Sequence, residues 1–293
     1  MNHIAAALAA LAVLLSPKMP PRPHILGISH VGLRVSSVAA ARAFYEDFLG
    51  MRGLRVNGRQ HVELIPGLAP DQDRLDHIAL ETDDAEGLRR YLASRAVDVP
   101  DRVSRDEAGR RFTVHDPDGH AVEFVQPSPT ARRELERTER DSGVPVSDHI
   151  LHLGIIVGDV PASMKFYGDV LGFSETWRGS RSGTELSWIN VKVPDGVDYV
   201  EFMLYGERPA PAARGTQHHI CLEVPDLPKA QALLEARPDR ASYPRPVEPR
   251  VGTNRKRQLN LYDPDGTRVE LMEPQTVDGS PAPSSTAPPP LHP

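Results

Sequence analysis

Four histidines and four glutamates stand at matching places along this 293-residue chain. Each histidine opens a short apolar stretch with strand-like alternation, and each glutamate lies in a later stretch of the same kind. The histidines are His30, His77, His152 and His219, and the glutamates are Glu63, Glu123, Glu201 and Glu270. Imidazole and carboxylate ligands together suit a divalent transition metal such as Zn, Ni, Fe, Mn or Co. We therefore predict at least one metal site built from these side chains.

An internal repeat ties these residues together. Residues 44–50 read FYEDFLG and residues 166–172 read FYGDVLG, and a histidine lies fourteen residues before each phenylalanine. Residues 115–124 read HDPDGHAVEF, and residues 262–271 read YDPDGTRVEL. A motif that recurs together with its distance to a histidine is hard to obtain by chance. The chain is therefore predicted to consist of two halves, each containing two related units.

Each unit is predicted to run from a strand through a helix to further strands. Helices are expected over 38–49 and 160–171, where apolar residues recur at helical spacing and Gly50 or Gly172 can end the helix. Turns of the Pro-Asp-Gly type precede the last strand of the second and fourth units. The first unit is short, with 33 residues between its histidine and its glutamate against 46, 49 and 51 in the others. We expect it to lack about one strand, between residues 50 and 54.

Pairing of two units in one curved sheet would place their first and last strands side by side. Two histidines and two glutamates would then converge on one point. The sequence leaves open whether the paired units belong to the same half. A single strand histidine is more often a structural residue than a ligand, and a terminal-strand glutamate usually faces solvent. The repetition of both in four units favours the metal interpretation, although inert duplicated scaffold would show the same repeat.

Composition excludes several other classes of function. The net charge is −6, and no Lys/Arg block with interleaved aromatic residues is present, which argues against nucleic-acid binding. Cys221 is the only cysteine, so neither an intramolecular disulfide nor a cysteine-rich zinc site can form. The apolar run over 4–15 is too short to span a bilayer and has the length of a signal-peptide core. It favours export to the periplasm or the medium, and a cytoplasmic location is the alternative.

The motifs resemble those of the vicinal oxygen chelate superfamily, which includes glyoxalases, bleomycin-resistance proteins and extradiol dioxygenases. The likeness rests on the His-x-x-Leu-x-Val openings, the Phe-Tyr-x-Asp-x-Leu-Gly helix ends and the Asp-Pro-Asp-Gly-x-x-Val-Glu closings, and it covers about 25–274. It implies an α+β fold with four βαβββ modules paired into two curved, open-barrel sheets. The expected domains are a signal-like segment and linker (1–23), an N-terminal domain (24–128), a linker helix (129–147), a C-terminal domain (148–275) and a disordered Pro-rich tail (276–293).

The resemblance also implies how the ligands are used. One half would supply His30, Glu63, His77 and Glu123, and the other half His152, Glu201, His219 and Glu270. We favour the C-terminal set, because its units are of full length, and Glu201 and Glu270 are the candidate catalytic residues. Four units in one chain can complete both sheets, so a monomer or a homodimer is expected.

Two sets with two carboxylates each favour a glyoxalase-like lyase or isomerase, in which a metal-bound carboxylate moves a proton next to a chelated carbonyl or hydroxyl. The substrate would be a small molecule with vicinal oxygens. An extradiol ring-cleaving dioxygenase is the alternative, but residues 252–258 before Tyr262 lack the additional histidine that such enzymes use. A small-molecule-binding protein without catalysis is the second alternative.

Overall fold

The computed structural model describes residues 20–138 and 145–291, and for residues 134–138 it describes the backbone alone. The apolar run over 4–15 lies outside these ranges. Within them, no helix is long and apolar enough to cross a membrane.

Two curved sheets, one from each half, organise the chain. The N-terminal sheet contains β1 (Ile25–Val35), β2 (His61–Pro66), β3 (Leu75–Thr82), β4 (Ser104–Arg105), β5 (Gly109–His115) and β6 (Ala121–Pro127), in the order β2-β1-β3-β6-β5-β4. The C-terminal sheet contains β7 (Ile150–Val157), β8 (Ser174–Gly179), β9 (Trp188–Lys192), β10 (Tyr199–Leu204), β11 (His219–Glu223), β12 (Arg250–Val251), β13 (Lys256–Tyr262) and β14 (Arg268–Thr276). Its order is β12-β13-β14-β11-β7-β10-β9-β8. Units therefore pair within each half, which answers the question that the sequence left open.

The first and last strands of the two units in each half are neighbours in the sheet. In the N-terminal sheet, β1 pairs in parallel with β2 and antiparallel with β3, and β3 pairs in parallel with β6. In the C-terminal sheet, β7 stands in the same relation to β10 and β11, and β11 pairs in parallel with β14. The strands that carry the histidines and glutamates are thus neighbours, as the unit-pairing hypothesis requires.

Helices cover one face of each sheet. They are α1 (Val38–Arg42), α2 (Ala85–Ser94), α3 (Pro129–Thr138), α4 (Val160–Ser163) and α5 (Leu227–Glu235). Wider π-helical turns, Ala43–Phe48 and Met164–Val170, continue α1 and α4. Gly50 and Gly172 follow these turns with φ of 81° and 83°, a left-handed conformation that glycine adopts without strain. The predicted helices and their glycine ends are therefore present.

The first unit is shorter than the sequence analysis predicted. It has two strands, whereas the third unit has four, so two strands are missing rather than one. Residues 51–60 contain only a 3₁₀ turn (Arg52–Leu54) and an isolated antiparallel bridge between Arg55 and His61. Ten residues cannot hold two strands and their turns. As a result, β2 is an edge strand, whereas its counterpart β10 is covered by β9.

The two halves share one apolar core, which contains residues from both sheets. Two buried tyrosines of the Phe-Tyr motifs also join the halves. The Tyr45 hydroxyl donates to Asp263 at 3.2 Å, and the Tyr167 hydroxyl donates to Asp116 at 3.0 Å. Each bond links a Phe-Tyr motif of one half to an Asp-Pro-Asp-Gly motif of the other. These repeated motifs therefore hold the halves together.

The predicted disorder of the tail is not what the structure shows. Residues 277–291 lie along the C-terminal sheet, where the Trp177 indole N–H donates to the Pro283 carbonyl at 2.8 Å. The backbone N–H of Ser285 donates to Arg178 at 2.9 Å, and that of Leu186 donates to Pro288 at 2.7 Å. An edge strand such as β8 leaves backbone groups unpaired, and a proline-rich segment is already extended and rich in carbonyl acceptors. The tail thus covers the edge without needing an apolar core of its own.

Candidate metal centres

The N-terminal set converges on one point of its sheet. The Nε2 atoms of His30 and His77 lie 3.0 Å apart, and a carboxylate oxygen of Glu123 lies 3.3 Å from His30 Nε2. Glu63 places an oxygen 3.6 Å from His30 Nε2 and 3.5 Å from His77 Nε2. The Glu63 side chain is 47% exposed, because its strand is at the edge of the sheet. All four predicted residues therefore meet, with Glu63 the least enclosed.

The C-terminal set has the same arrangement and is more deeply buried. The Nε2 atoms of His152 and His219 lie 3.0 Å apart. Glu201 places an oxygen 3.8 and 3.4 Å from these two nitrogens, and Glu270 places one at 3.8 and 3.6 Å. None of the four side chains is more than 11% exposed.

Both sets fit a divalent metal. Metal–ligand bonds of about 2.0–2.2 Å separate neighbouring ligand atoms by roughly 3.0 Å in an octahedron and roughly 3.4 Å in a tetrahedron. The two nitrogen–nitrogen distances are 3.0 Å, and seven of the eight nitrogen–oxygen distances are 3.3–3.8 Å. The donor atoms of His77 and Glu123 lie within 4.8 Å of each other. The ring orientations also fit, since His77 Nδ1 lies 2.8 Å from Asp76 Oδ2, and His219 Nδ1 lies 2.7 Å from the Gln217 carbonyl. An N–H donated at Nδ1 leaves the Nε2 lone pair free for coordination.

The charges in the C-terminal set are those that a bound cation requires. Burial alone would raise the pKa of Glu270 and of Glu201, but hydrogen bonds and positive charge from the two histidines hold both values below the ordinary range, with Arg268 adding to the effect on Glu270. Burial lowers the pKa of His152 to about 4. The set therefore contains two ionised carboxylates and at least one neutral imidazole at neutral pH, which is the protonation state that binds metal.

Two glycines that the sequence analysis did not select shape these centres. Gly32 pairs with His77 and Glu63, and Gly154 pairs with His219 and Glu201. A Cβ atom at Gly154 would lie 1.9 Å from Cε1 of His219, and one at Gly32 would lie 2.3 Å from Cε1 of His77. The absence of a side chain thus makes room for a ligand ring. The signal was present in the repeat, since each glycine follows the first histidine of its half by two residues.

A different residue accompanies the first histidine in each half. Tyr199 pairs with His152, and their rings stack with centroids 4.5 Å apart. His61 has the equivalent place beside His30, with centroids 4.6 Å apart. Burial and nearby positive groups, including Arg55, lower the pKa of His61 to about 3, so its ring is neutral at neutral pH.

The cavities over the two centres have similar volumes and different walls. The C-terminal cavity, of about 470 Å³, is lined by the aromatic side chains of Trp177, Trp188 and Tyr262 together with three arginines, Arg181, Arg250 and Arg268. Among the described residues, the lining of the N-terminal cavity, of about 480 Å³, contains no tryptophan or tyrosine and has six arginines, namely Arg42, Arg55, Arg59, Arg110, Arg111 and Arg132. Cys221 is fully buried, with its Sγ within 4.8 Å of donor atoms of His152 and Glu270, and burial raises the pKa of its thiol well above the ordinary value.

Comparison with known families agrees with the fold and the repeat. The profile of the Glyoxalase/Bleomycin resistance protein/Dioxygenase superfamily matches residues 27–124 and 149–271. The two matched segments correspond to the two sheets and together cover most of the chain. This protein therefore belongs to that superfamily, with two domains of its α+β type, and both the predicted family and the predicted fold are confirmed.

Similar proteins cover part or nearly all of the chain. The uncharacterized protein YaeR of Escherichia coli strain K12 is 34% identical over 129 residues, which span 42% of this chain and 93% of YaeR. An extradiol ring-cleaving dioxygenase from Brevibacterium fuscum superposes with a TM-score of 0.63 at 19% identity, over 92% of this chain and 77% of that one. The Mn(II)-bound glyoxalase from Novosphingobium aromaticivorans gives 0.63 at 18% identity, over 86% and 83%. At these identities the two structures show a shared fold.

Proposed function

We propose that this protein is a metal-dependent, glyoxalase-like lyase or isomerase, and that its C-terminal centre is the active site. The observation that carries the proposal is the convergence of two carboxylates on each histidine pair. His152, Glu201, His219 and Glu270 would hold Zn, Ni, Fe, Mn or Co, and a substrate with two neighbouring oxygens would enter the cavity above them. The supporting geometry is the burial of all four side chains at one end of that cavity.

When bound, the metal would act as a Lewis acid that polarises a substrate carbonyl or hydroxyl. Glu201 and Glu270 are the groups that can move a proton, since both are ionised and both line the cavity. They approach the histidine pair from two different strands, β10 and β14. One carboxylate can therefore accept a proton from the carbon next to the polarised oxygen, and return it to a neighbouring atom.

An extradiol ring-cleaving dioxygenase is the second candidate. The aromatic wall of Trp177 and Trp188 suits a ring-shaped substrate, and the dioxygenase similarity extends over nearly the whole chain. A non-haem iron site of that kind uses two histidines and one carboxylate. Two observations favour proton transfer over ring cleavage. A second carboxylate lies at a similar distance from the histidine pair, and among the described residues His152 is the one histidine that lines the cavity, so the additional histidine that extradiol enzymes use has no counterpart there. A binding protein without catalysis would have no need of either ligand set.

Metal analysis and a proton-exchange assay test the proposal together. The full chain, without a metal-affinity tag, is compared with the variants His152→Ala/His219→Ala and His30→Ala/His77→Ala by mass spectrometry of bound metal. Exchange of the carbon-bound hydrogens of an α-hydroxyketone with D₂O then reports proton transfer, and oxygen uptake with catechol reports ring cleavage. We expect exchange that is lost in the first variant and in Glu201→Gln or Glu270→Gln. Oxygen uptake without exchange would replace the proposal by the dioxygenase, and absence of metal from every variant after reconstitution would refute both.

A further inference from the structure

Arg55 is a partly buried cation with no counter-ion among the residues that the structure describes. Its Nη1 atom is buried and has no hydrogen-bond partner in those residues. Burial lowers the pKa of its guanidinium, and no neighbouring carboxylate contributes to raise it. A buried charged group without a partner is costly, and such groups are normally paired. Arg55 therefore has the properties expected of a residue that binds an anionic ligand.

The backbone places Arg55 over the N-terminal centre. Arg55 and His61 form an antiparallel bridge, in which the two side chains project from the same face. His61 stacks on His30, so this face is the one that carries the ligand set. In the C-terminal half, the corresponding wall is made by strands β8 and β9 with Trp177 and Trp188. In the described part of the N-terminal half, which lacks these two strands and their tryptophans, Arg55 lines this side of the cavity.

Arg111 adds a second positive charge at a position where the C-terminal half has a neutral residue. Thr113 pairs with Glu123, and Asn260 pairs with Glu270. Arg111 and Gln258, two residues earlier on β5 and β13, therefore occupy equivalent places, and both line their cavities. Arg111 also contacts Asp106, but both side chains are more than one-third exposed, and exposed pairs of this kind are weak.

Three of the four other arginines of the cavity have closer partners, and the fourth, Arg110, is exposed and projects from the strand face opposite to that of Arg111. Arg42 contacts Glu46 at 2.6 Å, and Arg59 and Arg132 contact the buried Glu81 at 2.8 and 2.6 Å. The positive charge available to a ligand therefore belongs chiefly to Arg55 and Arg111. Two guanidinium groups can hold one carboxylate by several charge-assisted hydrogen bonds.

We propose that the N-terminal cavity binds a small oxygenated carboxylate, whose neighbouring oxygens face the His30/Glu63/His77/Glu123 set and whose additional carboxylate lies between Arg55 and Arg111. This inference rests on the proposed ability of the His/Glu sets to hold a divalent metal, and it concerns the half that the proposed reaction does not use.

Lactate and malate form a matched pair of probes. Both carry a hydroxyl beside a carboxylate, and malate adds a second carboxylate for the two arginines. The full chain with His152→Ala/His219→Ala, which retains only the N-terminal set, is first titrated with Mn²⁺ and followed by electron paramagnetic resonance. Binding of each acid to the Mn²⁺-loaded protein is then measured by calorimetry, with Arg55→Gln, Arg111→Gln and the exposed-surface control Arg90→Gln. The substitution at 111 introduces the residue that the C-terminal half has at that place.

We expect malate to bind more tightly than lactate, and expect Arg55→Gln and Arg111→Gln each to weaken malate binding by about tenfold to a hundredfold, as the loss of a charged hydrogen bond implies. Lactate binding and the control should not change. Mn²⁺ binding should not weaken, since Arg111→Gln removes a positive charge that interacts with Glu123 and Glu63. Equal affinities for the two acids, or equal effects of Arg111→Gln and Arg90→Gln, would overturn the inference while the metal proposal stands. Absence of Mn²⁺ binding would overturn both, and is seen before any acid is added. If the His152→Ala/His219→Ala variant folds poorly, Arg55→Gln and Arg111→Gln are made in the otherwise unchanged chain. Malate binding to the N-terminal cavity of that chain must then weaken.

Discussion

Gly154 offers a way to displace a proposed metal ligand without substituting any of the proposed ligand residues. A Cβ at this position would lie 1.9 Å from Cε1 and 2.0 Å from Nδ1 of His219. Since carbon atoms pack at about 3.5 Å, the ring in Gly154→Ala must retreat by roughly 1.6 Å. Ligand distances in metal sites are held within about 0.2 Å, so the displaced Nε2 can no longer coordinate.

The expected loss of metal affinity in Gly154→Ala is therefore larger than the loss caused by replacing a residue that only orients a ligand. Removal of a group that only orients a ligand costs about tenfold to a hundredfold in metal affinity, and we expect at least a hundredfold loss for the C-terminal centre. Overpacking of this kind also lowers the free energy of unfolding by about 1–3 kcal/mol. The N-terminal centre should keep its affinity, because its own glycine, Gly32, is unchanged.

Calorimetric titration of the metal-free protein with Mn²⁺ or Zn²⁺ separates the two centres. Wild type should bind two ions. Gly154→Ala should bind one, in the N-terminal centre, and Gly32→Ala should bind one, in the C-terminal centre. The control is Gly168→Ala, where the added Cβ meets no atom outside its own helix closer than 3.8 Å and metal binding should not change. If Gly154→Ala binds two ions with wild-type affinity, the ring of His219 is not a ligand in the orientation described, and the argument from ligand spacing fails.

Three further predictions concern stability. Burial raises the pKa of Asp263 from 3.8 to about 6, so the folded chain binds this proton more tightly than the unfolded chain. The contribution of Asp263 to the unfolding free energy is therefore largest below about pH 4 and should fall as pH rises to 6. Chemical denaturation at several pH values should show this slope in wild type and not in Asp263→Asn. Tyr167→Phe removes the hydrogen bond to the buried Asp116 and should lower the unfolding free energy by about 1–3 kcal/mol, with an unchanged slope in that pH range contributed by Asp263. Deletion of residues 279–293 should expose Trp177, which donates to Pro283, and red-shift tryptophan fluorescence while lowering the melting temperature; an unshifted spectrum would contradict the covering role of the tail.

The internal repeat was sufficient to predict most of the fold and to select all eight candidate ligand residues. Because a strand places alternate residues on one face, a histidine at the start of the first strand and a glutamate in the last one could be expected to meet once the units paired. The sequence did not show which units pair, since long-range pairing depends on the whole surface of each strand. It also did not show that the tyrosines and aspartates of the same motifs, such as Tyr45 and Asp263, join the two halves.

The parts that were missed depend on neighbours far apart in the chain. The tail has too little apolar material to fold alone, but β8 offers it a partner, so its composition suggested disorder where an edge strand supplies the order. The role of Gly154 depends on a ring 65 residues away in the chain. Arg55 cannot be told apart from the other arginines in the sequence, because its lack of a counter-ion among the described residues is visible only when its surroundings are known.

The position of the ligands within each sheet explains how one unit could be shortened without loss of the centre. All four proposed ligands of a half lie on the first and last strands of its units, and these strands pair directly with one another. The two missing strands of the first unit would lie outside this group, where β8 and β9 lie in the other half. Their absence exposes Glu63 and changes the wall of the cavity, but it leaves the two histidine nitrogens 3.0 Å apart, as in the complete half. The architecture thus separates the residues that would hold the metal from those that would select the ligand. This separation allows two similar candidate centres to have different surroundings, with six arginines and no tryptophan among the described lining residues in one half, and two tryptophans, a tyrosine and three arginines in the other.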